Sequence, residues 1–188
     1  MPNLILVTGG ARSGKSDFAE KLAGELGGND VLFVATAEAG DEDMARRIAA
    51  HRLARPATWR TLEAAWEVGL RLRPMAPARV ILLDCLTLLV SNVLLRCGED
   101  AADEVAQVAV EEEVRALLKA VSKSSGTVIV VTNEVGLGIV PMNRLARQFR
   151  DLLGRANATL AAAADQVFLL VSGIPIDIKA LASGVRPR

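Results

Sequence analysis

Five short apolar segments recur along the chain, and longer stretches of mixed polarity separate them. They cover residues 4–8, 31–36, 80–84, 127–132 and 166–171. Each segment is a continuous apolar run rather than an alternation of apolar and polar residues, which is typical of strands that are covered on both faces. The pattern therefore predicts an α/β fold with a mostly parallel central sheet flanked by helices.

The stretches between these segments carry apolar residues at helical spacing. We predict helices over residues 15–26, from 41 to about 54, from 103 to about 121, and from Pro141 onwards, with Pro141 in the first turn. The expected apolar faces comprise Met44, Ile48 and His51 in the second helix, Val110, Val114, Leu117 and Val121 in the third, and Leu145, Phe149, Leu152, Ala156 and Leu160 in the fourth. No linker or repeat interrupts the pattern, so we expect one domain over residues 1–188, with a loosely ordered tail after about residue 180.

Composition limits the partners of this domain. The 188 residues include 22 Lys plus Arg and 22 Asp plus Glu, so no overall basic field exists to attract nucleic acid. The longest apolar run, residues 80–95, is shorter than the roughly 18 residues of a membrane span and contains Asp84 and Asn92. Cys85 and Cys97 match no zinc-binding spacing, and the N-terminus shows no secretion signal. We therefore expect a cytoplasmic protein with two free thiols, without a membrane span and without a nucleic-acid partner.

The first strand leads into a glycine-rich turn and then into a helix. Gly9, Gly14, Lys15 and Ser16 match the phosphate-binding pattern G-x-x-x-x-G-K-S in this context. In such a loop the glycines let backbone amides face phosphate oxygens, Lys15 reaches the β and γ phosphates, and the Ser16 hydroxyl joins a Mg²⁺ shell. The alternative is a tight strand-to-helix turn without a ligand. The loop predicts nucleotide binding but does not identify the reaction.

Polar residues end two of the later strands. Asp84 closes its strand, and we expect this carboxylate beside the loop as the metal-side acid, because Mg²⁺ prefers oxygen ligands. The alternative is that Asp84 caps the helix that begins near Leu86. Thr132, Asn133 and Glu134 follow another strand; they either contact the γ phosphate or the substrate, or form an ordinary polar exit from the strand. No N-K-x-D guanine-reading motif is present, which disfavours a switch GTPase.

His51 is the only histidine of the chain, and five arginines lie near it in sequence. They are Arg46, Arg47, Arg52, Arg55 and Arg60. Nearby cations disfavour protonation of an imidazole, and arginines can stabilise charge on a phosphoryl group under attack. A neutral imidazole can attack phosphorus and form a phosphoramidate. An arginine-rich, solvated helix face accounts for the same residues without chemistry, and the local sequence leaves both interpretations open.

Longer motifs lie in order from about residue 4 to residue 179. They are TGGARSGKS, VAT, HRLARPATWRTLE, VILLDCLTLLVSN, the segment from VTNEVGLGIVPMNRLARQFRD to VSGIP, and IDIK. With these motifs the chain resembles the family of bifunctional adenosylcobinamide kinases and adenosylcobinamide-phosphate guanylyltransferases of cobalamin biosynthesis. Because TNEVGxGIVPxNRLARxFRD and HxxxRP are not general features of phosphate-binding loops, the resemblance is much more specific than the loop alone.

The resemblance implies a RecA-like P-loop NTPase fold, a homotrimer and two successive reactions on one corrinoid. In the first, ATP or GTP phosphorylates adenosylcobinamide. In the second, GMP passes from GTP through a guanylylated His51 to adenosylcobinamide phosphate, giving adenosylcobinamide-GDP and pyrophosphate. The resemblance also implies Lys15 as a second catalytic residue, with Mg²⁺ held through Ser16 and Asp84.

The family's nucleotide contacts map onto four segments of this chain. They are Gly9, Gly10, Ala11, Arg12, Ser13, Gly14, Lys15 and Ser16 in the loop, Thr36, Ala37 and Glu38, then Arg52, Leu53, Ala54 and Arg55, and finally Glu63 and Asp84. At Ala37, Leu53 and Ala54 only backbone contacts transfer, because these side chains carry no polar group. The main rival hypothesis is a small-molecule kinase of the same fold that never transfers a nucleotidyl group.

Overall fold

A seven-stranded sheet forms the centre of the computed structural model, which describes residues 3–38, 40, 42, 45–46, 49, 52–53, 55–98 and 100–182. The strands are β1 (Leu4–Gly9), β2 (Val31–Ala35), β3 (Arg60–Glu63), β4 (Val80–Asp84), β5 (Thr127–Val131), β6 (Gln166–Val171) and β7 (Ile174–Asp177). Their order across the sheet is β3-β2-β4-β5-β1-β6-β7. All neighbouring strands are parallel except β7, which runs antiparallel to β6. The predicted mostly parallel sheet is confirmed.

Helices connect the strands. They are α1 (Lys15–Gly27), α2 (Val68–Arg71), α3 (Leu86–Cys97), α4 (Asp103–Val121), α5 (Arg144–Ala163) and α6 (Ile178–Leu181). Between β2 and β3 the helical residues are Glu42, Ala45, Arg46, Ala49, Arg52 and Leu53. Other members of the helix predicted there, including Met44, Ile48, His51 and Ala54, lie outside the described residues, as do residues 183–188 of the predicted loose tail.

The sheet carries a separate apolar cluster on each face, because successive side chains of a strand point to opposite sides. On one face, Val7, Phe33 and Leu82 pack with Ala19 and Ala23 of α1. The other cluster joins α3, α4 and α5 to the sheet, and its members include Leu6, Val34, Leu83, Leu89, Val114, Leu117, Leu152 and Leu160. Burial on both faces explains why β1, β2, β4 and β5 are continuous apolar runs.

The last long helix begins later than the sequence predicts. Pro141 lies outside α5, and Asn143 is the N-cap, with its side-chain oxygen accepting a hydrogen bond from the Ala146 amide at 3.2 Å. At the N-cap, the Asn143 side chain accepts a hydrogen bond from an amide that the helix leaves unpaired. Pro is compatible with the first turn of a helix, but its side chain pairs no amide. The prediction that Pro141 occupies the first turn was therefore wrong, although the predicted apolar stripe does face the core.

Two edge strands were not predicted. β3 has the sequence RTLE and alternates half-buried and exposed positions, while β7 contains a proline and is mostly exposed. Neither forms an apolar run, since an edge strand has a partner on one side only. Cys85 and Cys97 are half-buried free thiols, as expected. Among the described residues, no helix has the length and apolar character needed to cross a membrane.

Candidate nucleotide site

The glycine-rich loop after β1 has a backbone that other residues would not fit. Gly9 has φ +152°, and a Cβ placed there would lie 2.5 Å from the carbonyl oxygen of Leu170 on the neighbouring strand. Gly14 has φ +86° and immediately precedes α1. The Gly173 amide donates to the Ser13 carbonyl at 3.0 Å, which ties the loop to the turn after β6. The structure therefore contains a preformed loop that leads into a helix N-terminus, the arrangement that binds phosphate.

Lys15 is buried inside this loop, with 8% of its surface exposed. Its Nζ donates to the carbonyl oxygen of Gly10 at 2.6 Å and to Ser13 Oγ at 3.4 Å. Burial lowers the pKa of Lys15, while the nearby Cys85 and Asp84 act in the opposite direction. Because burial and Asp84 raise the pKa of Cys85 to about 11, its thiol is neutral near pH 7, so Asp84 is the partner that favours the Lys15 ammonium. The Lys15 ammonium has lost part of its hydration, so an anionic ligand such as a phosphate would stabilise its charge.

Asp84 lies at the carboxyl edge of the sheet, opposite Ala35 on one side and Val131 on the other. The strand order places β5 between β4 and β1, so Asp84 is one strand away from the loop rather than on the adjacent strand. Its charge still acts on Lys15. The alternative role as a helix cap is not observed, because Cys85 is the N-cap residue of α3 and no side chain caps this helix.

Thr36 links the ends of β2 and β4 beneath this site. Its side chain is fully buried, and its Oγ1 donates to the Cys85 carbonyl at 2.8 Å while accepting from the Cys85 amide at 2.8 Å. The Asn92 amide donates to the Thr36 carbonyl at 2.8 Å and to the Ala65 carbonyl at 3.1 Å. Thr36 therefore fixes the backbone beside Asp84 instead of presenting its hydroxyl to a ligand.

Arg55 reaches the same edge from the segment before β3. Its guanidinium carbon lies 3.3 Å from the centre of the Phe33 ring, and its Nε is buried without a hydrogen-bond partner in the described part of the chain. Burial lowers the pKa of Arg55, whereas the carboxylates of Glu20 and Asp84 raise it. A stacked guanidinium with a buried, unpaired donor suits recognition of a phosphate or carboxylate.

The other predicted contacts lie along this edge of the sheet, mostly on its surface. Arg52 and Glu63 form an ion pair between half-exposed side chains. Leu53 and Glu38 are exposed, and Ala37 is half-buried. His51 and Ala54 lie outside the described residues, so their predicted roles rest on the sequence.

Thr132 and its neighbours form a buried polar network behind the loop. Thr132 Oγ1 donates to Asn157 Oδ1 at 2.7 Å, and the Asn157 amide donates to the Asn133 carbonyl at 3.0 Å. Thr87 Oγ1 accepts from the Asn133 amide at 2.7 Å. Glu134 turns back on its own loop, where its carboxylate accepts from the Gly136 amide at 2.6 Å. Thr132 thus holds the strand exit in place.

Sequence reasoning did not assign roles to Asn92, Thr87 or Asn157. All three are polar residues within otherwise apolar helix faces, and that interruption is the signal that points to buried hydrogen bonding. The described residues include no group of three or more His, Cys, Asp or Glu that could hold a metal. The Ser16 hydroxyl and the Asp84 carboxylate are oxygen donors, the type of ligand that Mg²⁺ takes together with nucleotide phosphates and water.

The fold occurs in a solved ATPase domain of low sequence identity. The structure entitled ATPase Domain of G40P matches 90% of this chain and 69% of its own, with a TM-score of 0.51 and 18% identity. This likeness concerns the fold alone, and it confirms the predicted RecA-like P-loop class.

Sequence comparison is far more specific. The bifunctional adenosylcobalamin biosynthesis protein CobU of Salmonella typhimurium is 47% identical over 182 residues, which cover 94% of this chain and 99% of that protein. CobU of Escherichia coli is 47% identical over 183 residues, with 94% and 99% covered. CobP of Pseudomonas aeruginosa is 44% identical over 175 residues, with 93% and 96% covered. A family model described as cobinamide kinase / cobinamide phosphate guanyltransferase matches residues 5–178, and the chain therefore belongs to this family.

Proposed function

We propose that this chain catalyses two successive transfers to one corrinoid. ATP or GTP first phosphorylates the aminopropanol hydroxyl of adenosylcobinamide, and GTP then supplies GMP to adenosylcobinamide phosphate. The products of the second reaction are adenosylcobinamide-GDP and pyrophosphate. The observation that best supports this proposal is the buried Lys15 ammonium, held within a preformed phosphate loop and acted on by Asp84, in a chain of this family.

In the first reaction the loop and Lys15 hold the β and γ phosphates of the nucleotide. Nζ of Lys15 leaves the Gly10 carbonyl and donates to phosphate oxygens instead. The negative charge of these oxygens compensates the ammonium for the hydration that it loses by burial. The substrate hydroxyl oxygen then forms a bond to the γ phosphorus. The bond to the βγ-bridging oxygen breaks, its electron pair leaves with the nucleoside diphosphate, and the hydroxyl proton passes to solvent.

The Ser16 hydroxyl and the Asp84 carboxylate are the groups that would hold Mg²⁺. When bound, this ion neutralises charge on the phosphate oxygens. Ser16 is the second residue of α1 and Asp84 the last residue of β4, so each donor belongs to a regular element.

In the second reaction His51 acts as the nucleophile. A ring nitrogen bonds to the α phosphorus of GTP while the bond to the αβ-bridging oxygen breaks, and pyrophosphate leaves with the electron pair. A phosphate oxygen of the acceptor then bonds to the same phosphorus, the P–N bond breaks, and the imidazole is restored. Arg55, with its buried unpaired Nε, is the described residue best suited to stabilise the phosphate charge.

Label transfer tests the covalent step. The chain is incubated with GTP labelled at the α phosphate, without corrinoid, and we expect an acid-labile, base-stable label on the protein. His51→Ala and His51→Asn should both lack it, because Asn keeps a polar side chain but no nucleophilic ring. Equal labelling of either variant would refute the role of His51. Lys15→Ala should impair both reactions, and unchanged turnover in the first would refute the role of the loop.

The resemblance further supports a cytoplasmic homotrimer built from a single domain. Sedimentation equilibrium would measure the mass of the assembly directly. A monomeric mass at micromolar concentration would contradict the trimer without affecting the two proposed reactions.

A further inference from the structure

The loop after β5 exposes an unusual amount of apolar surface. Leu137, Ile139 and Met142 are 90%, 96% and 97% exposed, and Val140 between them is also exposed. Large apolar side chains exposed together, rather than scattered singly, mark interaction surfaces. We refer to residues 136–142 as the apolar loop.

Hydrogen bonds anchor both ends of the apolar loop. Just before it, the Glu134 amide donates to the carbonyl of Gly9, the first residue of the phosphate loop, at 3.0 Å. At its far end, Arg147 of α5 donates to the carbonyls of Pro141 and Met142 at 3.0 and 2.6 Å. The apolar loop is therefore continuous with the nucleotide site at one end and attached to α5 at the other.

An open groove of about 620 Å³ separates the apolar loop from α5. Its loop side consists of Gly136, Gly138 and Val140, and its helix side includes Gly154 and Arg155. Arg150 and Asp151 of the helix also line it and form an ion pair with each other. Asn157 of α5 donates to the Asn133 carbonyl just past β5, so the part of α5 that precedes it lines the carboxyl edge of the sheet. The groove therefore opens toward the carboxyl edge of the sheet, the edge at which the phosphate loop also lies.

The chemistry of the groove suits a large, flat acceptor with polar substituents. A Cβ added to Gly154 would meet no atom within 4 Å, so close packing does not explain a glycine within a helix, where glycine is unfavourable. The Arg155 guanidinium forms no hydrogen bond or ion pair with any part of the chain that the structure describes. The groove thus combines a floor without a side chain at Gly154, the apolar side chain of Val140 and an available cation. The exposed Leu137 and Ile139 are the sequence neighbours of the loop residues that line it.

We propose that this groove binds the corrin ring of the acceptor, with the apolar loop against the macrocycle and Arg155 facing its phosphate. The assignment rests on the proposed function, because the acceptor hydroxyl must reach the γ phosphate held by the phosphate loop. Continuity with that loop and the cationic Arg155 favour the corrinoid over a second copy of the chain as the occupant.

Filling the groove tests the proposal. Gly154→Leu places a side chain in the groove without a steric clash at its Cβ, and Ala163→Leu adds the same side chain on the exposed last turn of α5 as a matched control. We expect Gly154→Leu to raise the KM for adenosylcobinamide about tenfold or more, well beyond any change in the KM for the nucleotide. Ala163→Leu should change neither value. Sedimentation velocity of each variant records whether the assembly is kept.

Arg155→Gln separates the role of charge from that of shape. We expect it to raise the KM for adenosylcobinamide phosphate several times more than that for adenosylcobinamide, because only the former carries the phosphate. An unchanged corrinoid KM in Gly154→Leu would overturn the proposal, as would a rise that occurs only together with a change in assembly mass, which would assign the groove to contacts between copies. The KM for adenosylcobinamide is measured in the kinase reaction, and the KM for adenosylcobinamide phosphate in the guanylyl transfer. Because the Gly154→Leu test uses only the kinase reaction, loss of the His51 label refutes the covalent step and leaves that test intact.

Discussion

Replacing Thr36 by Val removes one hydroxyl from beneath the nucleotide site and keeps the shape of the side chain. The Thr36 hydroxyl forms two hydrogen bonds of 2.8 Å, one to the Cys85 carbonyl and one from the Cys85 amide. The Cys85 carbonyl retains a partner in the variant, because the Leu89 amide donates to it at 3.2 Å. The Cys85 amide loses the Thr36 hydroxyl. The substitution therefore leaves one backbone amide, that of Cys85 next to Asp84, without a hydrogen-bond partner.

The cost follows from that orphaned donor. Leaving one buried donor unsatisfied costs about 1–3 kcal/mol, and we expect Thr36→Val to lower the free energy of unfolding by about 2 kcal/mol. For a chain of this size each kcal/mol shifts Tm by about 2–4 °C, so the expected shift is about 4–8 °C. Thr36→Ser is the matched control, because it keeps the hydroxyl and loses one methyl group, at a cost of about 1 kcal/mol.

Urea denaturation and thermal scans of the two variants test this reasoning, with kinase turnover measured in the same preparations. Thr36→Val should be the less stable variant, and its turnover should fall because the backbone that carries Asp84 is less firmly held. If Thr36→Val equals the unaltered chain in stability, or exceeds Thr36→Ser, the hydroxyl does not hold β2 and β4 together and the argument fails.

Three further predictions concern other parts of the fold. Gly69→Ala should destabilise the chain by about 3 kcal/mol in urea denaturation, because its Cβ would lie 2.3 Å from the Ala116 carbonyl oxygen. Gly154→Ala has open space at its Cβ, and it should stabilise the chain by about 0.5–1 kcal/mol. Iodoacetamide should alkylate Cys85 about 100-fold more slowly at pH 8 than a thiol with the ordinary pKa of 9.0, because burial and Asp84 raise the pKa of Cys85 to about 11. Mass spectrometry of the Cys85 peptide gives the rate, and a rate equal to that of an ordinary thiol would contradict this environment. Asn143→Ala should lower stability by about 1 kcal/mol while Asn143→Asp preserves it, and equal loss in both variants would argue against the cap.

The strands that carry the site were predictable for a physical reason. β1, β2, β4 and β5 are apolar runs because each has a strand on both sides and is buried on both faces. The phosphate loop was predictable because its glycines and Lys15 must stand at fixed spacing to surround a phosphate. In both cases the constraint, burial of a strand or enclosure of a phosphate, acts on residues that are close in sequence, so it is visible as a local sequence pattern.

Features that depend on pairing between distant segments were not predictable in this way. The order of the strands places β5 between Asp84 and the phosphate loop, and no local pattern encodes that order. The bonds of Thr36 to Cys85 and of Thr132 to Asn157 join residues far apart in sequence. The resemblance implied a nucleotide contact for Thr36, and for Thr132 the sequence left open a ligand contact or an ordinary polar exit from the strand. In the structure both hydroxyls form hydrogen bonds that hold strand ends.

One phosphate loop has to serve two reactions at different phosphorus atoms. In the proposed kinase reaction the loop and Lys15 hold the β and γ phosphates, and in the proposed guanylyl transfer the leaving pyrophosphate consists of the same two groups. The loop can therefore bind the same part of the nucleotide in both reactions, provided that the α phosphorus reaches His51 only in the second. The neighbouring Arg52–Glu63 ion pair joins half-exposed side chains, and such pairs contribute little to stability, about 0–1 kcal/mol. Separating Arg52 from Glu63 therefore costs little, and this ion pair presents little resistance to a shift of Arg52 between the two proposed reactions.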